Sequence, residues 1–314
     1  MNYGTLLQKY SKNHKLEFRT TTQERMYKSA VNFLLGFLGD DWESKANLLQ
    51  IHEKGGYNNT LHPSSNCDKK GKDLSKNFNN IYLKDPLNRL NSQVDGWNLT
   101  IDDVEGMIDM CAYETIALGY SEFCKLFTKH EFESYNYAWD LKHYYKHGFG
   151  SSSISKAQGK GWVLELLSRL QNKLPNVIDN DSSINSTLDE NDDTFSLDQP
   201  FYIDFSHDST IDNVIVTLNL TQYQVQLPTD HILDQSPRWV TSNLAPLAAN
   251  LLVQVLNCSD DNEKYARVIL NDAVISLENL GSCGKNEDGR CNLNTFMNGL
   301  EDALKSTDFD SVCS

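Results

Sequence analysis

Two segments, each reading as a strand, a turn and a helix, constrain this chain more than any other feature. The first runs Lys15-Leu-Glu-Phe-Arg19 and Thr20-Thr-Thr-Gln-Glu-Arg25, then sets Met26, Ala30, Phe33, Leu34 and Phe37 at helical spacing. Its strand is expected to end at Arg19, the threonines to cap the helix, and Gly39 with Asp40-Asp41 to stop it. The second runs Phe201-Tyr-Ile-Asp-Phe205, then Ser206-His-Asp-Ser-Thr210, then an apolar helix from Ile211 to Leu220. Strands that alternate with helices in this way predict an α/β fold.

Between the two segments the character changes. Residues from about Gly55 to Lys76 are rich in Gly, Asn, Ser and Pro and read as a long loop. From about 100 to 172 no strand alternation is evident. Thr100-Ile-Asp-Asp103 reads as a helix start leading into Val104, Met107, Ile108 and Cys111, and Thr128-Lys-His-Glu131 matches a capping box. Trp162, Leu166 and Leu170 are spaced by four in a further helix. Residues 173 to 198 are polar and acidic and read as a solvated loop. A strand at Tyr265 to Leu270 and a short helix near Phe296 to Leu304 follow. The organisation expected is an α/β part over 1–62, a helical subdomain over 63–175 and a second α/β part over 176–314.

The net charge of −15 argues against nucleic acid or an anionic membrane as partner, since both reward clustered Lys and Arg. It also opposes a polyanionic substrate, but screening confines that field to about 10 Å, and many of the 43 carboxylates lose their charge in acid. No stretch approaches the roughly 20 apolar residues that span a bilayer. The opening MNYGTLLQKY has no apolar core of the signal-peptide kind. The body nevertheless reads as exported. It carries seven cysteines and N-x-S/T sequons at Asn58, Asn98, Asn180, Asn185, Asn219 and Asn257. Missing N-terminal sequence is the expectation that reconciles the two.

Arg19 and the pair His207-Asp208 are each placed where a strand gives way to a helix, the position at which open α/β sheets collect ligands. Helix N-termini there attract phosphate, an arginine fork matches its oxygens, and a protonated Asp can serve as general acid. The bland readings, a surface arginine and an N-capping aspartate, stand beside this one.

Phe201-Tyr-Ile-Asp204 followed by Phe205-Ser-His-Asp208 resembles the C-terminal signature of histidine acid phosphatases. Phe18-Arg-Thr-Thr-Thr-Gln-Glu-Arg25 resembles their phosphate-binding arginine segment. Tyr57-Asn-Asn-Thr-Leu-His-Pro63 with Cys67, Cys111-Ala-Tyr-Glu114 through Phe123-Cys-Lys-Leu-Phe127, and Ala157-Gln-Gly-Lys-Gly161 resemble further blocks of the fungal phytases. So do Leu244-Ala-Pro-Leu-Ala248 to Cys258 and Val268-Ile-Leu-Asn-Asp272, all in the family's order. The resemblance implies a phosphoglycerate-mutase-like sheet with flanking helices and an inserted, mainly helical subdomain. It implies hydrolysis of phosphomonoesters, phytate among them, through a phosphohistidine. Arg19 and His207 would bind the phosphate, Asp208 would protonate the leaving alcohol, and His143 would stand where related phytases often carry a substrate-contacting lysine. Neither metal nor organic cofactor is implied, and the substrate is a small molecule. By resemblance Cys67 pairs with Cys313, Cys111 with Cys124 and Cys283 with Cys291. That leaves Cys258, whose family counterpart pairs with an N-terminal cysteine.

The sequence departs from the family at one decisive point. No Arg-His-Gly-x-Arg-x-Pro motif, which holds the family's nucleophile, occurs in these 314 residues; Lys146-His147-Gly148 lacks the following arginine. The expectation is a chain that lacks the first strand and its motif and does not turn over by itself. The competing readings are a non-catalytic secreted glycoprotein of the same family and a helical interaction module confined to residues 100 to 172.

Overall fold

The structure is a computed structural model that describes residues 15–93, 95–174, 182–233, 238–258 and 263–314. Strand β1 (Leu16–Thr21) lies between β2 (Ala46–Ile51) and β3 (Ile203–Asp204), parallel to both. It is buried along almost its whole length, as a strand inside a parallel sheet must be. The strand runs two residues beyond its expected end, so Thr20 and Thr21 are buried in it and cap nothing. The next helix, α1 (Glu24–Leu38), has Gln23 at its N-cap without a side-chain hydrogen bond. Gly39 ends it with φ +94° and donates its N–H to Leu35 O, a backbone setting open to glycine at no steric cost.

The buried face of α1 is Ala30, Leu34 and Leu38, and a core of Leu16, Phe18, Leu34, Leu38 and Ala46 joins helix to sheet. Phe33 and Phe37, expected on that face, are instead about two-fifths exposed and stack on each other. Their edges meet Phe205 and Phe201.

The chain divides into two compact units, and the division differs from the expected one. One unit comprises residues 1–70, 152–221 and 247–314; the other comprises 71–151 and 222–246. The second unit is helical, as its sequence predicts. It holds α2 (Ser75–Tyr82), α3 (Lys84–Gln93), α4 (Ile101–Leu118) and α5 (Lys129–Lys146) around Leu83, Leu90, Val104, Ile108 and Phe127. Both capping boxes form, Thr100 with Asp103 and Thr128 with Glu131. The segment 222–246 returns to this unit from far along the chain, with the Thr241 N–H bonded to Asp140 and Trp239 buried edge-on against Tyr144.

The first unit also contains α6 (Ser152–Gln171), α7 (Asp208–Thr217) and a second, antiparallel sheet. In that sheet β5 (Lys264–Leu270) pairs with β4 (Leu251–Asn257), β6 (Ala273–Val274) and β7 (Arg290–Asn292). Helix α8 (Leu293–Lys305) follows. Disulfides join Cys67 to Cys313, Cys111 to Cys124 and Cys283 to Cys291, the pairing that the resemblance implies. Cys258 is free of any disulfide, and the Arg290 guanidinium donates to its sulfur at 3.3 Å. Among the described residues no helix is long and apolar enough to cross a membrane.

The sequons differ in their surroundings. The side-chain amides of Asn58, Asn185 and Asn219 donate to the carbonyls of Ile184, Asn58 and Asn279. Asn98 and Asn257 are exposed, and Asn180 lies outside the described residues.

Candidate functional site

Three adjacent parallel strands deliver polar side chains beyond their carboxyl ends. Arg25 follows β1 in the first turn of α1. Glu53 follows β2, and His207 follows β3 as the N-cap of α7, with Asp208 as that helix's first residue. The loop that carries His62 is tied to the β3–α7 turn, because the Ser206 and Thr210 hydroxyls both donate to Leu61 O. The His62 and His207 rings consequently lie with centroids 4.8 Å apart. Arg25 Nη2 is 3.3 Å from His207 Nδ1, and His207 Nε2 is 2.8 Å from Glu53 Oε1. A guanidinium only donates, so Nδ1 accepts and Nε2 carries the proton toward Glu53. Asp208 is exposed, and one of its oxygens accepts the Ser209 N–H.

Arg19 has a different place from the one expected. It sits inside β1, in register with Leu49 on one side and Asp204 on the other, rather than at the strand's end. Its guanidinium is buried and donates from Nε and Nη2 to both oxygens of Asp204, and from Nη2 to Glu165. Arg169 and the Trp162 indole also donate to Asp204, the Thr60 hydroxyl donates to Glu165, and Phe195 lies under both guanidinium groups. The fork that a phosphate would need is therefore taken up by carboxylates. Arg25 is the arginine that meets His207.

The charge states in this buried cluster follow from its composition. Burial alone would lower the pKa of Arg19, but Asp204 and Glu165 outweigh it and hold the group firmly charged. Burial would raise Asp204, yet Arg169 and Arg19 keep it far below the ordinary carboxylate range. Asp189 is pushed up to about 8, first by burial and then by repulsion from Glu165, because no guanidinium contacts it closely; Arg19 Nη1 is 4.0 Å away. With Asp189 protonated, two arginines balance two carboxylates. Asp189 belongs to the acidic stretch read as solvated loop; its side chain is instead buried, while Glu190, Asp192 and Asp193 are exposed.

Around His207 the balance is different. Burial opposes ionisation of Glu53, but the neighbouring Thr21, His207 and His62 side chains lower its pKa overall. Burial lowers the pKa of His62, Glu53 counters, and His207, Lys70 and Arg25 lower it further, so that overall it lies below the ordinary imidazole value. Glu53, His62 and His207 present donor atoms that all lie within 4.8 Å of one another. His143 belongs to the helical unit, where its ring is buried and flanked by Trp139 and His147. A ring so covered presents almost no surface to a ligand.

A profile of the histidine phosphatase superfamily (branch 2) matches residues 1–271. The chain belongs to this family. Its relatives include phytase A of Aspergillus oryzae, 32% identical over 305 residues, which are 90% of this chain and 63% of that protein. A phytase of Candida albicans is 31% identical over 99% of this chain and 62% of its own length. The crystal structure of the phytase from D. castellii superposes with a TM-score of 0.76 at 25% identity, over 99% of this chain and 62% of that one. The chain thus spans somewhat under two thirds of the length of these relatives. The mixed α/β fold expected for the histidine phosphatase family is the one observed.

Sequence reasoning missed Glu53, His62 and the role of Arg25. Arg25 ends the very segment that singled out Arg19, and only the extra length of β1 moves the site from one to the other. His62 lies inside the Tyr57–Pro63 block, whose likeness to the fungal phytases carries no signal for a functional ring. Nothing in spacing could bring Glu53 to His207, because their meeting depends on the order of strands in the sheet.

Proposed function

We propose that these residues are the phosphate-holding and proton-donating part of a phosphomonoesterase site that acts on phytate. The observation that carries this reading is the meeting of Arg25 and His207 beyond adjacent strand ends, with Asp208 next in sequence at the start of a helix. With both ring nitrogens protonated, His207 keeps Nε2–H on Glu53 and offers Nδ1–H to a phosphoryl oxygen. Arg25, exposed and 3.3 Å away, turns its fork to the same group. The amino end of α7 adds its partial positive charge.

In this reading a histidine nitrogen attacks phosphorus and the ester P–O bond breaks. The departing oxygen takes the proton of the Asp208 carboxyl and leaves as an alcohol. Asp208 then removes a proton from the water that cleaves the P–N bond, which restores the histidine and releases phosphate. Arg19 acts at one remove, by fixing β1 to β3 through Asp204. The attacking histidine of the family's Arg-His-Gly motif is not among these 314 residues, so turnover requires a protein that carries it. Phytate as substrate and an exported protein are supported by relatives named phytases, by the disulfides and by the exposed sequons.

The missing motif also favours a second reading, a secreted glycoprotein of the family that binds without catalysing. Expression with the genomic reading frame upstream of Met1 decides between them. The enzyme reading expects an Arg-His-Gly-x-Arg-x-Pro segment and release of phosphate from phytate in acid. Asp208→Asn should then lower kcat by about 100-fold or more, and Arg25→Ala should weaken binding of phosphate and substrate. An upstream frame without the motif supports the binding protein, and full turnover in both variants overturns the proposed roles.

A further inference from the structure

We propose that Glu53, His62 and His207 form a three-ligand site for a divalent cation of the Zn2+ class. One carboxylate and two imidazoles are a donor set that suits such ions and leaves a fourth position open. The His62 Nδ1 atom is shut off from solvent and has no hydrogen-bond partner, an uncommon state for a buried ring nitrogen. It faces Glu53 Oε2 across 3.8 Å, while Glu53 Oε1 reaches His207 Nε2 at 2.8 Å. Ligands about 2.0–2.2 Å from a tetrahedral ion stand about 3.3–3.6 Å apart. The two spacings, each to a different oxygen of Glu53, bracket that range, and the three donor atoms lie within 4.8 Å of one another, so binding draws them together. The other nitrogen of His62 meets the Ser64 hydroxyl at 3.2 Å, the kind of outer contact that fixes a ligating ring. Loop and turn are joined through Leu61 O, so the two imidazoles are held together by backbone, and Glu53 reaches them from the end of β2.

Binding requires one exchange. His207 Nε2 must turn its lone pair to the ion, which moves the ring proton to Nδ1. Arg25, a donor, must then leave Nδ1; it is exposed and its contact is long, so it is free to do so. The cation and the Arg25 contact are therefore alternatives. Removal of the guanidinium strengthens cation binding because it removes both a competing contact and a like charge. The inference does not rest on the phosphatase reading, under which the same substitution weakens phosphate binding.

The test is titration of the 314-residue chain with Co2+ at about pH 7.5, in a Cys258→Ser background that excludes the free thiol as ligand. The expected result is one equivalent bound with the intense visible bands of four-coordinate cobalt. His62→Ala and Glu53→Gln should each weaken binding at least about tenfold, His231→Ala should not, and Arg25→Ala should tighten it. Far-UV circular dichroism of each variant confirms the fold, and Glu53→Gln, close to isosteric, serves should His62→Ala unfold. The inference is overturned by the absence of saturable binding below about 1 mM, or by folded ligand variants that bind as the parent does. Phosphate is absent throughout, so failure here leaves the phosphatase reading untouched.

Discussion

Arg19 and Arg25 lie six positions apart in one segment and answer to different physics. Arg19 is enclosed by Asp204 and Glu165, and its removal leaves the buried Glu165 without a guanidinium and Asp204 with Arg169 alone. Arg19→Ala should therefore destabilise the fold by about 3–5 kcal/mol in urea denaturation. Arg25→Ala, at an exposed position, should change stability by no more than about 1 kcal/mol while it weakens phosphate binding. Equal loss of stability in the two variants would contradict the assignment. Asp189 supplies a pH signature for the same cluster. Its folded-state pKa of about 8 lies above the unfolded value of about 3.9, so the folded form favours the proton. Its contribution is fully present below about pH 4 and is lost as pH rises toward 8. Asp189→Asn should remove that loss, and its urea midpoint should fall less than the parent's between pH 5 and 8. An identical pH dependence in parent and variant would show that Asp189 is ionised throughout. The sequence could not forecast this cluster, since which polar residues are enclosed depends on partners from α6, β3 and the acidic stretch.

Elements legible in the sequence were those whose local chemistry agrees with their surroundings. Thr100 and Thr128 cap their helices as their spacing predicts, and β5 alternates buried and half-buried positions along its length. Strands β2 and β4 were not anticipated: neither shows a clean two-residue alternation, and β4 exposes Leu252 and Val255. The close approach of α6 to α7 is equally silent in composition, yet it governs where His207 and Asp208 stand. A methyl group on Gly159 would lie 2.2 Å from Thr217 Oγ1 and 2.7 Å from Asn213 O. Gly159→Ala should therefore lose about 1–3 kcal/mol to overpacking, despite the better helix propensity of alanine. Gly106 in α4 has nothing within 4 Å of the same methyl, and Gly106→Ala should gain up to about 1 kcal/mol. Thermal melts of the two variants, with opposite signs expected, check the distinction; two shifts of the same sign would remove it.

At the scale of the whole chain, the predicted boundaries at 62 and 175 followed changes in local composition, whereas the units are assembled from segments distant in sequence. Residues 222–246 belong with the helical unit because Thr241 and Trp239 find partners on α5, which composition does not reveal. The same interleaving makes one covalent link far more consequential than another. Cys67 and Cys313, with Ala157 and Phe309, form a buried cluster that ties the end of the chain to its early part across a separation of 246 residues. Cys283 and Cys291 close a loop of only 8. Loop-closure entropy assigns about 5.5 kcal/mol to the long link and about 2.5 kcal/mol to the short one, through restriction of the unfolded chain. The paired substitution Cys67→Ser with Cys313→Ser should thus lower the guanidinium midpoint well beyond Cys283→Ser with Cys291→Ser. Because the effect acts on the unfolded state, the denaturant slope should rise in the long-loop variant as its unfolded chain expands. Equal midpoints in the two paired variants would mean that the ends of the chain are held by packing alone.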